Sequence, residues 1–293
     1  MGITPEVGAQ SEFGRLQSLG WEAPARDADG VRWLRRDGAQ VSYPRDVLDT
    51  LSGDGGEGFW LDARADAVGE VLQEASIKTM WDVGAGSGAM AKRLGRYGVD
   101  VVSVEPLPEG ALEIAHMGAE VFCGTLHDLD LPSGSLPAVG LFDVVEHLED
   151  PADLLHEVAR VLSPEGTLVV TVPAYQWLWS AEDEALGHFR RYSTTTLRHT
   201  LEQFQFTVLS ARYCFASLVP PAALLRTVPY RLGRRSTPDE VLSRNSARMN
   251  PGAASRWAAR VLALEAKAAR RLPLPFGLSV LAVAQSRLVR RAK

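Results

Sequence analysis

Three glycines within five residues set the tightest constraint on what this chain can fold into. The apolar run at residues 80–83 passes directly into Gly84-Ala85-Gly86-Ser87-Gly88, and residues 90–97 then have helical character up to a stop at Gly98. Glycines allow a tight turn and let backbone N–H groups approach a bound molecule. A strand that enters a helix through such a turn is the opening of a βαβ unit, and that unit calls for a parallel sheet covered by helices.

The rest of the chain repeats the rhythm. Residues 59–75 read as a helix with Trp60, Ala63, Ala67, Val71 and Leu72 on one face. The run at 99–104 is rich in valine, as suits a parallel strand buried on both faces. Further strands are expected at 120–123, 138–144, 167–172, 206–211 and 278–284, and further helices at 111–117, 151–162 and 193–203, the last capped by Ser193. The fold class is therefore α/β: a Rossmann-like, doubly wound sheet of seven strands. Residues 1–56 read as a small N-terminal appendage with strands at 31–34 and 40–43 around Asp37-Gly38. Residues 57–293 form the main domain. Within it, 215–275 is a helical insertion whose one clear helix carries Trp257, Val261, Leu264, Ala268 and Leu272 on a stripe.

Composition narrows the class. The 293 residues are 46% hydrophobic, a globular rather than a disordered balance, and the net charge of −5 argues against nucleic acid as a partner. Residues 226–293 hold fifteen Lys/Arg against three Asp/Glu. That basic region is either a solvated face or a contact for an anionic substrate, a partner or the periphery of a membrane. The apolar run at 213–225 contains Pro220 and Pro221 and falls short of the about 20 residues a transmembrane helix needs. Two cysteines, Cys123 and Cys214, and no secretory leader pattern point to a reduced, cytoplasmic protein.

Glu105 ends the strand after the glycine turn, 17 residues past Gly88, where a carboxylate can accept hydrogen bonds from two ribose hydroxyls. An adenosine-bearing ligand follows. The spacing Gly84, Gly86, Ala89 also fits dinucleotide sites, so S-adenosylmethionine (SAM) and NAD(P) both stand at this point. Asp82 favours SAM: a carboxylate beside this helix N-terminus would repel a pyrophosphate but suits a cationic ligand. Its other reading is an anchor that accepts N–H bonds from the turn.

The chain resembles the class I SAM-dependent methyltransferases from about residue 59 to residue 206. WDVGAGSG is similar to the family's first motif, VVSVEP to its second, GTLHDLDLP to its third and LFDVVEHLEDP to its fourth. The resemblance implies that the last strand is antiparallel and that Gly84, Ala85, Gly86 and Gly88 hold the cofactor. It places Glu105 on the ribose, Thr125 and Leu126 at the adenine, and Phe142 and Asp143 near the methionine part and the substrate mouth. The stretch VPAYQWLWSAEDEALGHFRRYS is similar to a bacterial subgroup with an LWS…D…GHxRRY pattern. The family usually has an Asp before its fourth strand where Pro137 stands here, so that strand is expected to begin later.

Methyl transfer needs mainly orientation, with a base for an oxygen or nitrogen nucleophile. His147, His156 and His188 lie near the expected mouth; His156 reads as a surface residue, and His188 and His147 are the candidate catalytic residues. Trp179, Arg191 and Tyr192 are the candidate substrate residues. Arg190 and Arg191 can instead pair with Asp183 or Glu184 and fix a lid. Arg64 can reach the SAM carboxylate or simply pack. No residue set has a metal-ligand spacing, so no metal is expected. The reading is a methyltransferase acting on a small or medium-sized natural-product, glycan or lipid intermediate. The alternatives are a SAM-binding protein without activity and an enzyme of the same fold with other chemistry, such as cyclisation.

Overall fold

The computed structural model describes residues 6–35, 58–234, 237, 240–241, 253–269 and 274–287. In chain order the main elements are α1 (Glu6–Ser18), β1 (Arg32–Trp33), α2 (Phe59–Glu74), β2 (Thr79–Val83), α3 (Ala89–Leu94), β3 (Asp100–Glu105), α4 (Pro108–His116), β4 (Glu120–Cys123), β5 (Leu136–Phe142), α5 (Ala152–Val161), β6 (Leu162–Pro173), α6 (Ala181–Ala185), α7 (Thr194–Gln203), β7 (Phe206–Cys214), α8 (Ala253–Ala269) and β8 (Ser279–Ser286).

The sheet has eight strands in the order β1-β4-β3-β2-β5-β6-β8-β7, one more than the seven expected. The extra strand is β1, two residues that pair in parallel with Phe122 and Cys123 of β4. Strands β1 to β6 run parallel, and β8 is antiparallel to both β6 and β7. From β2 the chain winds outward through β3 and β4, then returns to build β5 and β6 on the other side. The reversal between β2 and β5 opens a crevice at their carboxyl ends, where doubly wound sheets bind ligands.

Local sequence explains most boundaries. Helix α3 tightens after Leu94 into a single 3₁₀ turn, Gly95–Tyr97, and Gly98 ends it at φ +69°. The Ser193 hydroxyl accepts the Thr196 N–H at 3.0 Å and the Thr196 hydroxyl accepts the Ser193 N–H at 2.8 Å, so α7 starts on a reciprocal cap. Strand β5 begins at Leu136, earlier than expected, because Pro137 is taken up in a register shift against β6. It stops at Phe142 because Asp143 turns the chain at φ +56°.

Two faces differ from the expected ones. Helix α2 buries Ala65, Val68, Val71 and Leu72, leaving Trp60, Ala63 and Ala67 half-buried on its flank. Helix α8 buries Leu262 and turns Trp257 and Leu264 to solvent, at 68% and 66% exposure. Leu272 and residues 36–57, with the expected strand at 40–43, lie outside the described residues.

The core beneath the β2–β4 side of the sheet is aromatic. Trp81 stacks on Phe122 with ring centroids 5.7 Å apart, and Phe13 and Trp21 from the N-terminal segment pack edge-on or tilted against the pair. The Trp21 indole N–H donates to the Leu129 carbonyl at 2.7 Å. Both cysteines are buried free thiols. Among the described residues no helix is long and apolar enough to cross a membrane.

Candidate functional site

The glycine turn closes β2 against the neighbouring strand. The N–H groups of Gly84 and Ala85 donate to the Val104 carbonyl, and that of Gly88 donates to Ala85. The Gly86 N–H donates to Glu105 Oε2 at 2.6 Å, and the Leu107 N–H to Oε1 at 2.8 Å. Two glycines are required by the protein itself rather than by a ligand. A Cβ on Gly84 would lie 2.8 Å from Val144, and one on Gly88 would lie 2.7 Å from Ile114. Sequence reasoning missed a further glycine, Gly110 in α4, where a Cβ would meet the Gly86 carbonyl at 2.5 Å and Glu105 Cγ at 2.9 Å. Its signal was a glycine in an otherwise good helix, a position that normally costs about 1 kcal/mol and calls for a packing reason.

Two acids sit beneath this turn. Asp82 is buried, and neither carboxylate oxygen has a hydrogen-bond partner, so the anchoring role is not seen. Burial pushes its carboxyl up to about 7. Burial also pushes Glu105 up to about 8, although the Leu107 and Gly86 N–H groups favour its ionised form. Of the remaining cofactor candidates, Thr125 donates through both its N–H and its hydroxyl to Asp128 Oδ2, at 2.9 and 2.7 Å, while Leu126 is a core residue. Phe142 is buried too, its ring folded over Gly140 against Met80.

Across the crevice, Asp143 pairs with Arg64 of α2 at 2.6 Å and accepts the Thr171 hydroxyl at 3.2 Å. The Arg64 guanidinium lies 5.1 Å from the centre of the Trp60 ring. Arg64 is thereby fixed by a protein carboxylate on the residue that directly follows β5.

The loop after β6 brings the histidines together. Its base is closed by Tyr175 N–H to the Tyr192 carbonyl at 2.7 Å and Tyr192 N–H to Pro173 at 3.0 Å. Asp183, wholly buried in α6, accepts the Ser180 N–H of its own cap at 2.9 Å. It also binds Arg191 through Nε at 2.7 Å and Nη2 at 2.9 Å, and His188 through Nδ1 at 2.9 Å. Burial raises Asp183, but the His188 bond and the Arg191 charge more than offset this and hold it down at about 2. Arg190 donates to the Glu149 carbonyl, and Phe189 N–H to the Glu146 carbonyl at 2.8 Å, so the loop is tied to the segment after β5.

His188 therefore lies beside His147, with ring centroids 4.6 Å apart and planes at 76°. Burial, then the nearby His188, holds His147 down to about 3, against hydrogen bonds with the backbone of Gly187 and Leu186. Glu146 is fully buried; burial and then the Asp143 charge push it well above the usual carboxylate range. Neither Glu146 oxygen has a partner from another residue, and the Tyr192 hydroxyl beside it is likewise buried without one. Trp179 is half-buried just ahead of α6, and His156 packs edge-on against Phe204, away from this cluster.

A cavity of about 440 Å³ lies elsewhere, between α2, α3, α8 and the end of β7, lined among others by Phe59, Ala63, Arg212, Phe215 and Leu262. It lacks the glycine turn and both histidines. The convergent acids and histidines at the carboxyl edge of β2, β5 and β6 mark the candidate site instead.

A family model described as a methyltransferase domain matches residues 58–211. An uncharacterised methyltransferase of Mycobacterium tuberculosis is 37% identical over 121 residues, 41% of this chain and 46% of that protein. A ubiquinone biosynthesis O-methyltransferase of Bradyrhizobium sp. is 32% identical over 104 residues, 33% of this chain and 41% of that protein. The chain thus spans less than half the length of these curated relatives. The solved complex of a Haloferax volcanii methyltransferase with a methyltransferase activator matches with a TM-score of 0.52 and 19% identity, covering 83% of this chain and 96% of that one, a likeness of fold.

Proposed function

The chain belongs to the methyltransferase-domain family, and on that premise we propose that it transfers the methyl group of SAM to a small or medium-sized acceptor. The observation that carries this reading is Asp82. A buried carboxylate without a hydrogen bond, under a glycine turn, fits the positive charge of a sulfonium and an ammonium; it would oppose the pyrophosphate of a dinucleotide. When bound, SAM supplies a methyl already activated by the sulfonium.

The protein's part is positioning. The turn from Gly84 to Gly88 and the carboxylate of Glu105 hold the adenosine, with Glu105 exchanging its Gly86 N–H partner for ribose hydroxyls. Asp143, locked by Arg64, forms the floor between cofactor and acceptor. Asp183 accepts from His188 Nδ1 and so turns the Nε2 lone pair toward the acceptor, where it can receive a proton. Arg191 and Tyr192 act on the acceptor indirectly: Arg191 fixes Asp183, and Tyr192 closes the base of the loop.

The acceptor is a natural-product, glycan or lipid intermediate. An apolar portion is favoured by the exposed Leu224, Leu225, Leu232, Trp257 and Leu264, which the arginines at 226, 231, 256 and 260 accompany. Calorimetry should find one SAM or S-adenosylhomocysteine per chain and no binding of NADH. Turnover of labelled SAM against acceptor panels should fall at least about 100-fold in His188→Ala, with SAM affinity unchanged. A protein that ignores SAM, or a His188→Ala variant with full turnover, would overturn the cofactor or the role of His188 respectively.

A further inference from the structure

Among the described residues, Glu146, His147 and His188 each present a ligand atom, all within 4.8 Å of one another. Residue order carries no hint of this, since a neighbouring Glu-His pair and a distant histidine form no recognised metal spacing. The fold makes the set by tying the loop after β6 to the segment after β5.

Three features of the surroundings suit a bound cation rather than an ordinary polar cluster. Glu146 is fully buried with both oxygens unpartnered from other residues, an arrangement that leaves a carboxyl group needing a counter-charge or a proton. The arginines whose charge reaches it are already committed, Arg64 to Asp143 and Arg191 to Asp183. Next, Asp183 determines which nitrogen His188 can offer. Because the Arg191 fork keeps Asp183 an acceptor, His188 Nδ1 carries the proton of their 2.9 Å bond, leaving Nε2 as the ligand. A carboxylate behind a histidine is the usual support of a metal-bound imidazole. Finally, the His147 ring is steered by the backbone of Leu186 and Gly187, and the two imidazoles meet at 76° with centroids 4.6 Å apart, each with a ring nitrogen within 4.8 Å of the other ligand atoms.

We propose that Glu146, His147 and His188 bind one divalent first-row transition ion at the carboxyl edge of β5, with Asp183 as a positioning residue. Two imidazoles and one carboxylate select Zn(II), Mn(II), Fe(II) or Co(II) over the oxygen-loving Mg(II) and Ca(II). Three protein ligands leave positions for acceptor oxygens, so the favoured acceptor carries two neighbouring oxygens, such as vicinal hydroxyls or a hydroxyl beside a carbonyl. This last step rests on the methyl-transfer reading; ion binding does not. On that reading the ion takes over from His188 the activation of the acceptor. The ion-held O–H ionises near neutrality and releases its proton to solvent, the oxygen bonds to the methyl carbon, and the S–CH₃ bond breaks with its electron pair staying on sulfur.

The test uses the full chain without a histidine tag, stripped by chelator. Titration with Co(II) followed by visible absorption, and with Zn(II) by calorimetry, should give one ion per chain and the ligand-field bands of a nitrogen-containing site. Glu146→Gln and His188→Ala should weaken binding at least about 100-fold, and Asp183→Asn about 10–100-fold with altered bands. Circular dichroism of each variant identifies any that fail to fold, and the wild-type titration stands without them. Absence of saturable binding in the wild type, or wild-type binding in folded Glu146→Gln and His188→Ala, would overturn the proposal. SAM titrated into the same stripped protein keeps the two readings apart. SAM binding without ion uptake sinks the metal alone, whereas ion uptake without SAM binding sinks the methyl-transfer reading and leaves the metal.

Discussion

Asp82 carries a penalty that a single substitution can expose. Burial pushes its folded carboxyl up to about 7, against 3.8 for an unperturbed aspartate, so between pH 4 and 7 the folded state holds a proton that the unfolded chain has released. The sign follows: stability falls as pH rises through that window, by up to about 1.4 kcal/mol per unit for this group, and the full penalty applies above pH 7. Asp82→Asn should flatten this slope and make the protein without ligand more stable than wild type at pH 8, as urea titrations at pH 5 and 8 would register. The same variant should lose at least about tenfold in SAM affinity, because a neutral amide replaces the carboxylate that faces the cation. A gain in stability together with unchanged affinity would assign Asp82 to structure alone. In the wild type, SAM binding should release protons near neutral pH, measured as calorimetric enthalpies that differ between buffers of different ionisation heat.

At the scale of elements, the packing of α4 against the glycine turn decides the geometry of the cofactor end. Alanine is a better helix former than glycine by about 1 kcal/mol, so propensity alone would make Gly110→Ala stabilising. A Cβ 2.5 Å from the Gly86 carbonyl reverses that expectation, since the turn must move to admit it. Gly110→Ala should therefore lower SAM affinity about tenfold or more without touching SAM, and a crystal structure or calorimetry would register it. The tether between Arg64 of α2 and Asp143 after β5 works alike. Its guanidinium is buried, so Arg64→Ala leaves a half-buried carboxylate without its partner, and a loss of about 3 kcal/mol in urea unfolding is expected.

For the whole molecule, the question is whether the segment ahead of the family match is an attachment or part of the core. Leu16 and Trp21 belong to the same buried cluster as Trp81, Phe122 and Leu168, with Phe13 packed against it. Trp21→Ala should lower global stability by about 3–5 kcal/mol and shift a single urea transition. A second, separate transition with the main one unmoved would make residues 6–35 an independent unit. The surface of the β7–α8 side is different in kind, with Trp257 and Leu264 facing outward. Its helical period was readable, but which stripe faced inward was not, because that choice belongs to α2 and to the turn at Ala216–Leu218 after β7, which α8 meets.

What the chain determined by itself was local. Valine runs, helical periods, the Ser193 cap and the glycine turn each act over a few residues, so the alternation of strands and helices, the place of Glu105 at the end of β3 and the methyltransferase likeness were all legible. What only the tertiary structure decided was meeting points. The eighth strand was legible as a short strand at 31–34, but its place was not: it joins the main sheet because the edge of β4 is there to receive it. The set of Glu146, His147, Asp183 and His188 forms because sheet topology stacks the ends of β5 and β6 side by side, bringing together groups far apart in sequence. Propensity acts through a residue's own backbone, whereas a site depends on where other segments end, and one-dimensional order does not carry that distance.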